Sequence, residues 1–343
     1  MSSAEITDPQ NTDPGTDVEP GGGQAVQRPV QDDPLALGAE GPVTTDGGQT
    51  AATVTAVTGV TTVQASLLSD AWRQLRRSKV FVVASLVLVV LTLMAAFPQL
   101  FTRVDPRVCN LSLSKQAPSG HAWFGYDLQG CDYYANVVYG ARVSISIGLL
   151  VVAASLVVGV ALGAVAGFYG GWFDTLIARI TDVAFGIPTI LGSILILNAF
   201  TERSLWTVAL ALVALGWMTI LRLLRSSVIA IKETDYVQAA RALGANDRRI
   251  IMTHILPNAL APVFVYSTIA VGSIIAAEAT LSFLGIGLQL PAISWGLQIS
   301  QGQSLLRTAP HLLLFPSLFL SVTVLCFILL GDALRDALDP KLR

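Results

Sequence analysis

The chain has 343 residues, of which 53% are hydrophobic and 13% are charged, and its formal net charge is −2. This composition is too apolar for a soluble domain with an ordinary charged surface. Ten carboxylates lie between Glu5 and Asp70, where Arg28 is the only basic residue. The net charge therefore describes the N-terminal segment more than the basic remainder of the chain.

Residues 1–68 are rich in Gly, Pro and Thr as well as in acid. Such a segment cannot bury enough apolar surface to offset the entropy lost on ordering, so we predict a disordered tail. The next element is a short amphipathic helix in LSDAWRQLRRSKV, which Ser69 or Asp70 could cap. Trp72 and the basic residues of this helix suit the headgroup layer of a membrane, and a plain orientation signal is the alternative.

Six apolar runs follow, and each is close to the roughly 20 residues that cross a bilayer core. Five of them contain no Asp, Glu, Lys or Arg, and the other contains Glu278 alone. They predict an all-α polytopic membrane protein with six transmembrane helices, at about residues 81–100, 143–168, 183–200, 204–221, 259–283 and 311–331. Pro188 is expected to kink the third span.

The distribution of Lys and Arg predicts that both termini are cytoplasmic. With the N-terminus inside, fourteen of the twenty basic residues that follow Arg28 fall in inner segments and six in outer segments, as the positive-inside rule requires. Residues 69–140 then hold the amphipathic helix, the first span and an extracytoplasmic loop. Residues 141–343 hold the remaining spans, and residues 222–258 form a cytoplasmic loop within them.

This cytoplasmic loop has the pattern of two short helices. Apolar and small side chains recur at helical spacing, and Gly244 can end the first helix in a left-handed conformation. Asn246 or Asp247 can cap the second helix, and Pro257 is expected to stop it. The face of the first helix consists of Tyr236, Ala239, Ala240 and Leu243. From spacing alone, a hairpin lying on the membrane surface and a docking element for another protein are equally good interpretations.

Three further features of the sequence predict contacts or sites outside this loop. Glu278, near the outer end of the fifth span, is either a carboxylate of a gate or substrate path or an interfacial group that reaches water or a neighbouring subunit. Cys109 and Cys131 lie in the oxidising outer compartment, so a disulfide is expected, with free thiols or a metal site with His121 as alternatives. Small residues at a four-residue spacing in the second span suit close helix contact, for example with a paired subunit: Gly159, Gly163 and Gly167.

The cytoplasmic loop resembles the EAA loop of ABC importer permeases. That pattern is E-A-A, three residues, Gly, and then I-x-x-H-x-L-P-N; this chain has Gln238-Ala239-Ala240, Gly244 and the run IMTHILPN ending at Asn258. In that family the first helix docks in a groove on a cytoplasmic ATPase. The resemblance assigns ATPase coupling to Tyr236, Gln238, Ala239, Ala240, Leu243, Gly244 and Ala245. Gln238 stands where the family usually has Glu. Because glutamine is uncharged, any ion pair that the family's Glu makes is in doubt for this chain, whereas the prediction of a docking helix is unaffected.

Most of residues 68–343 is similar to the C-type permease subunits of dipeptide and oligopeptide systems, notably AAEATLSFLGIGLQLPAISWG and the closing LLGDALRDALDPKLR. The resemblance implies a type I ABC importer permease fold in the bacterial cytoplasmic membrane, with an extra N-terminal helix. It implies half of a translocation pathway for dipeptides or oligopeptides, with nickel, haem or another small solute as alternatives. The implied partners are a B-type permease, two ATPases that bind ATP and Mg, an extracytoplasmic solute-binding protein and lipid, without nucleic acid.

Other classes of protein are disfavoured by what the chain lacks. None of its lysines, at 79, 115, 232 and 341, stands in a G-x-x-x-x-G-K frame, so it is not expected to hydrolyse ATP or to be an enzyme. An intramembrane protease would need Ser and His facing each other within the bilayer, whereas the histidines lie in loops or at span edges. An ion-coupled secondary transporter would show repeats and several intramembrane charges, and a scaffold without a pore is the remaining alternative.

Overall fold

The computed structural model describes residues 67–338, with side chains from residue 72 onward. The tail predicted at residues 1–68 lies outside this range except for its last two residues, as do residues 339–343. Between residues 67 and 338 the regular structure is helical, with isolated bridges in one loop and no strand. The α-helices are α1 (Leu67–Arg77), α2 (Lys79–Ala96), α3 (Tyr133–Tyr169), α4 (Gly171–Phe185), α5 (Thr189–Leu197), α6 (Leu205–Lys232), α7 (Asp235–Ala242), α8 (Asp247–Arg249), α9 (Leu256–Phe283), α10 (Trp295–Gly302) and α11 (His311–Leu338).

Five helices of the described chain are long and apolar enough to cross a membrane. They are α2, α3, α6, α11 and a continuous helix over Asp247–Phe283 that contains α8 and α9. The pair α4 and α5 would make a sixth span if it is counted as one, although the two helices meet at 88°. The membrane protein predicted from the apolar runs is thus present with five or six candidate spans.

The third predicted span, residues 183–200, is wrong as a single helix. α4 ends at Phe185 and α5 begins at Thr189, so that span contains the bend itself. Pro188 lies between the two helices, has no N–H to donate and keeps the preceding residue out of the helical region. The expected kink is therefore a complete break.

α1 also begins earlier than predicted. Its first residue is Leu67, so Ser69 and Asp70 lie inside the helix and the predicted N-cap is wrong. Leucine is a strong helix former, which explains why Leu67 and Leu68 extend the helix beyond the polar pair. α2 has a side-chain cap, because Oγ of Ser78 accepts a bond from the N–H of Phe81 at 3.3 Å.

The connection between α2 and α3, residues 97–132, is called here the disulfide loop. Cys109 and Cys131 are bonded to each other across it. The carboxylate of Asp127 accepts bonds from the N–H groups of Gln129 (2.9 Å) and Cys131 (2.8 Å). Burial raises the pKa of Asp127 above its usual value, and these two bonds oppose the rise. The loop is therefore folded on its own hydrogen bonds and disulfide.

Arginine side chains join helix ends at the side of the bundle that carries this loop. Arg142, near the beginning of α3, donates to the carbonyl oxygens of Ala95 (3.1 Å) and Ala96 (3.0 Å) at the end of α2. Arg203, before α6, donates to the carbonyl oxygen of Gly285, after α9, at 3.3 Å. The ends of α2 and α9 and the beginnings of α3 and α6 therefore meet, at what we call the disulfide end.

The opposite side of the bundle is called the α7 end. There Nζ of Lys232, the last residue of α6, donates to the carbonyl oxygen of Phe168 near the end of α3, at 3.4 Å. Leu75 of α1 packs against Ala337 of α11. Because α2 and α11 each run once along the bundle, both ends of the described chain lie at the α7 end.

Three glycines let α3 and α6 approach each other closely. A Cβ atom added at Gly159 would lie 2.8 Å from the Ile220 side chain, and one at Gly163 would lie 2.9 Å from the Leu221 carbonyl oxygen. Gly167 is equally confined, since its Cβ would meet an α6 carbonyl oxygen at 2.9 Å. The contact suggested for a paired subunit is therefore made within this chain, where the absence of side chains allows dense packing.

Replacing Gly163 with Val tests this contact. The added side chain must push α3 and α6 apart, so we expect the free energy of unfolding to fall by about 1–3 kcal/mol. The measurement is the thermal unfolding midpoint of the purified chain in detergent. Gly120→Val is the control, because a Cβ at Gly120 meets nothing within 4 Å. Equal midpoints for the two variants would contradict the packing described here.

Candidate functional site

The helix predicted first in the cytoplasmic loop is α7. It follows α6 after a short turn in which the hydroxyl of Thr234 donates to the carbonyl oxygen of Ile231 at 2.6 Å. It ends before Gly244, whose φ of +84° is the left-handed conformation that glycine adopts without strain. The predicted helix and its glycine end are both confirmed.

One face of α7 is left uncovered by the other residues that the structure describes, 67–338. Tyr236 is 47% exposed and Leu243 is 88% exposed, while Ala239 is exposed and Ala240 is half-buried. We call these four residues the α7 face. An apolar side chain as open as Leu243 beside small residues provides a surface on which another backbone can approach closely. Gln238 is also exposed, and Ala245 packs partly into the neighbouring core.

The opposite side of α7 is anchored by one residue that sequence reasoning missed. Val237 is fully buried and packs in a cluster with Leu224 and Val228 of α6 and with Ile250 and Ile255. A single branched aliphatic residue in the otherwise polar, aromatic or small sequence of α7, DYVQAARA, is the signal that could have identified it. Because Val237 fills this cluster, α7 rests on α6 and on the beginning of the α9 helix.

The predicted second short helix is not separate from the fifth span. Asn246 caps α8 by accepting the N–H of Arg249 at 2.9 Å, as expected. The chain then passes through one wide π turn, Ile250–Ile255, directly into α9, so the stop predicted at Pro257 is wrong. Proline is tolerated in the first turn of a helix, and the wide turn before it leaves room for its ring. The result is one helix of 37 residues, Asp247–Phe283.

Side-chain bonds tie α7 to the ends of two long helices. Nε2 of Gln238 donates to the carbonyl oxygen of Lys232, at the end of α6, at 3.0 Å. Nδ2 of Asn258 in α9 donates to the hydroxyl of Tyr236 at 3.4 Å and to the carbonyl oxygen of His254 at 2.8 Å. A displacement of α7 can therefore be passed to α6 and α9. The first bond requires an amide, because a carboxylate has no proton to donate.

Ion pairs hold α4 against α6 near the same end. Arg225 binds both carboxylate oxygens of Asp174, one of them at 2.6 Å, and Arg222 binds Asp182 at 2.7 Å. The charges were visible in the sequence, but their pairing depends on the bend after α4, which places two distant segments side by side.

The remaining predicted residues lie at the disulfide end, away from α7. Glu278 is fully buried, and its Oε1 accepts bonds from the hydroxyls of Ser282 (2.8 Å) and Ser294 (3.2 Å). In this conformation its carboxyl group faces serines of its own chain. The disulfide Cys109–Cys131 lies at that end too. Among residues 67–338 no group of three His, Cys, Asp or Glu side chains could hold a metal ion.

The chain belongs to a known family. Residues 159–343 match the family described as binding-protein-dependent transport system inner membrane component, which places the chain among permease subunits of such systems. Residues 66–118 match the N-terminal TM domain of oligopeptide transport permease C. The ABC importer resemblance is thereby confirmed.

Several curated relatives are similar over most of their length. The chain is 39% identical to the dipeptide transport system permease protein DppC of Alkalihalophilus pseudofirmus, over 80% of this chain and 90% of the relative. It is 38% identical to the oligopeptide transport system permease protein OppC of Bacillus subtilis, over 81% and 91%. It is 37% identical to the glutathione transport system permease protein GsiD of Pectobacterium atrosepticum, over 79% and 90%.

Gln238→Glu tests the bond between α7 and α6. A carboxylate cannot donate to the Lys232 carbonyl, and its charge faces the negative end of α6. One hydrogen bond contributes about 0.5–1.5 kcal/mol, so local opening of α7 should rise by roughly two- to tenfold. The measurement is the rate of trypsin cleavage after Lys232 and Arg241 in the purified chain.

The control is Ala239→Glu, which adds the same charge at an exposed neighbour. Its cleavage rate should stay near that of the wild type. If Gln238→Glu is cleaved no faster than this control, the amide does not hold α7 in place.

Thiol labelling tests the disulfide. Of the three cysteines, Cys326 is free. The chain extracted from membranes and denatured without reductant should therefore take up one maleimide label, and three after reduction. Cys326→Ser should take up none before reduction. Three labels on the unreduced wild-type chain would show that Cys109 and Cys131 are not bonded.

Proposed function

We propose that this chain is one of two permease subunits of an ATP-driven importer for dipeptides or oligopeptides. The relatives are named for dipeptide, oligopeptide and glutathione transport, and the family for its dependence on a binding protein. The observation that carries the coupling step is the α7 face, which is apolar and exposed at Leu243 yet anchored from behind by Val237. A surface held rigidly and left open is suited to docking another protein.

The proposed orientation places the α7 end in the cytoplasm of a bacterium and the disulfide end outside its cytoplasmic membrane. The excess of Lys and Arg at the α7 side supports it. A disulfide on the outer side agrees with the oxidising conditions there. Both chain termini are then cytoplasmic, and α4 with α5 serves as the third of six spans.

The proposed partners follow from the family. Two ATPase subunits bind ATP and Mg and receive the α7 face, and a second permease subunit completes the pathway. An extracytoplasmic solute-binding protein delivers the peptide at the disulfide end. The subunit itself is a mechanical transmitter and pathway wall, with no chemical step of its own.

In the proposed mechanism, ATP binding closes the ATPase pair and moves α7. Val237 and the bond from Gln238 pass this motion to α6, and the bond from Asn258 passes it to α9. The helix over Asp247–Phe283 is continuous, so motion at the α7 end reaches the disulfide end. A rise of 1.5 Å per residue makes this helix roughly 55 Å long, which exceeds a bilayer core.

Leu243→Asp tests the docking surface. Its side chain is 88% exposed, so the folded subunit should be unaffected, while a charge in an apolar contact should weaken docking by about 2 kcal/mol, roughly thirtyfold. The measurements are co-purification of the ATPase subunits from membranes and ATP-dependent peptide uptake. Deletion of residues 239–244 should abolish uptake while leaving membrane insertion intact.

Leu111→Asp is the matched control for co-purification. Leu111 is 76% exposed in the disulfide loop, at the end that does not meet the ATPase in the proposed orientation. This variant should retain the ATPase subunits. A Leu243→Asp transporter that retains both the ATPase and full uptake would contradict the proposed coupling.

A further inference from the structure

The buried carboxyl of Glu278 has hydroxyl partners in place of a cation. Three ion pairs occur between residues 72 and 338, and none of them includes Glu278. Its Oε1 accepts two serine hydroxyls, and among residues 72–338 its Oε2 has no hydrogen-bond partner. A third serine, Ser144 of α3, also lies beside the carboxyl. A buried carboxyl is costly when left unpaired, so this arrangement calls for a reason beyond packing.

Each of the two serine hydroxyls that donate to Glu278 also accepts a hydrogen bond from a backbone amide. Oγ of Ser282 accepts the N–H of Leu288 at 3.2 Å, and Oγ of Ser294 accepts the N–H of Leu297 at 3.2 Å. A hydroxyl has one proton and two lone pairs. Because each serine hydroxyl donates its hydrogen bond to Glu278, the lone pairs of each hydroxyl oxygen are directed at the two amides. One carboxyl thus orients two serine caps.

Both capped amides, those of Leu288 and Leu297, belong to one segment, residues 284–302, which we call the arm. It leaves the end of α9, turns at the disulfide end and returns as α10. A Cβ atom at Gly287 would lie 2.4 Å from the nitrogen of Ser282, and one at Gly296 would lie 2.6 Å from Cα of Ala279. The arm is therefore in direct backbone contact with α9, on the side where Glu278 lies.

The far side of the arm is attached to α3. Trp295 is fully buried, its Nε1 donates to the carbonyl oxygen of Val137 at 2.9 Å, and its backbone N–H donates to Oγ of Ser144 at 3.2 Å. Between the two attachments the tip of the arm is open, and Leu290 is 67% exposed.

Residues of the tip form one wall of a cavity of about 680 Å³ at the disulfide end. The tip contributes Pro291, Ala292 and Ile293, and the lining also includes Arg103, Arg107 and Arg142. The position of the arm thus sets the shape of this cavity.

We propose that Glu278 is a positioning residue: through Ser282 and Ser294 it fixes the arm, and with it the wall of this cavity. It acts as a hydrogen-bond acceptor, and its negative charge is not required. This rests on the proposed function, in which the disulfide end faces outward and the arm lies where solute enters. A glutamine has the same acceptor oxygen and can take its place, whereas an alanine cannot.

Hydrogen exchange at two amides tests the positioning directly. The full chain is purified in nanodiscs, and exchange at Leu288 and Leu297 is followed by mass spectrometry. Glu278→Ala should speed exchange at both amides by about tenfold or more, because both caps lose their orientation. Glu278→Gln should exchange like the wild type. Ser282→Ala and Ser294→Ala, which each remove one cap, give the reference rates at Leu288 and Leu297 respectively.

Two results would overturn the proposal. Unchanged exchange in Glu278→Ala would mean that the serines hold the arm without the carboxyl. Exchange in Glu278→Gln as fast as in Glu278→Ala would mean that the charge is needed. Where Glu278→Ala does not fold, Glu278→Leu, which is close to glutamate in size and accepts no hydrogen bond, takes its place, and exchange like the wild type in that variant would overturn the proposal.

Peptide uptake separates this proposal from the proposed function. In the assembled transporter Glu278→Gln should retain wild-type uptake, and Glu278→Ala should lose about fivefold or more, in line with its exchange rates. Loss of uptake in Glu278→Gln with normal exchange would overturn the proposal and favour a charge or a proton at Glu278. If wild-type transporter takes up no peptide, the proposed function fails, while the exchange pattern still reports on the arm.

Discussion

The structure depends on the rule that backbone N–H and C=O groups have no water to bind within a bilayer core. A spanning segment must therefore satisfy them internally, which explains why the apolar runs are helices. It also explains where the helices are interrupted. The break between α4 and α5 lies at Pro188, which has no N–H to leave unpaired. The arm after α9 has its free amides capped by Ser282 and Ser294.

Close helix packing turns these separate spans into a body that can transmit motion. α3 and α6 touch along a row of glycines, where a single added methyl group would collide with α6. At the α7 end, Lys232 links α6 to α3, and Gln238 links α7 to α6. A short surface helix attached in this way moves together with the helices on which it packs. A partner that binds the α7 face and displaces α7 would therefore also displace those helices.

The two ends of the subunit use polar groups in different ways. At the α7 end, exposed amides and ion pairs tie helix ends together and leave an apolar surface open. At the disulfide end, a buried carboxyl and serines hold the arm against α9. The first arrangement suits a surface that engages and releases a partner. The second suits a wall that must keep its shape while the helices below it shift.

Features that depend on neighbouring residues could be predicted from the amino-acid sequence. Apolar runs predicted most of the long helices, Gly244 marked the end of α7, and Asn246 marked the cap of α8, because hydropathy and backbone preferences act locally. The family was also identifiable from short motifs. The tertiary structure decided what depends on contacts between distant segments: the partner of the glycine row, the pairing of Asp174 with Arg225, the burial of Val237 and the serines around Glu278. The role of Pro257 was also decided by the tertiary structure, because a proline can either stop a helix or lie in its first turn. The wide turn before Pro257 allows it to lie in the first turn of α9.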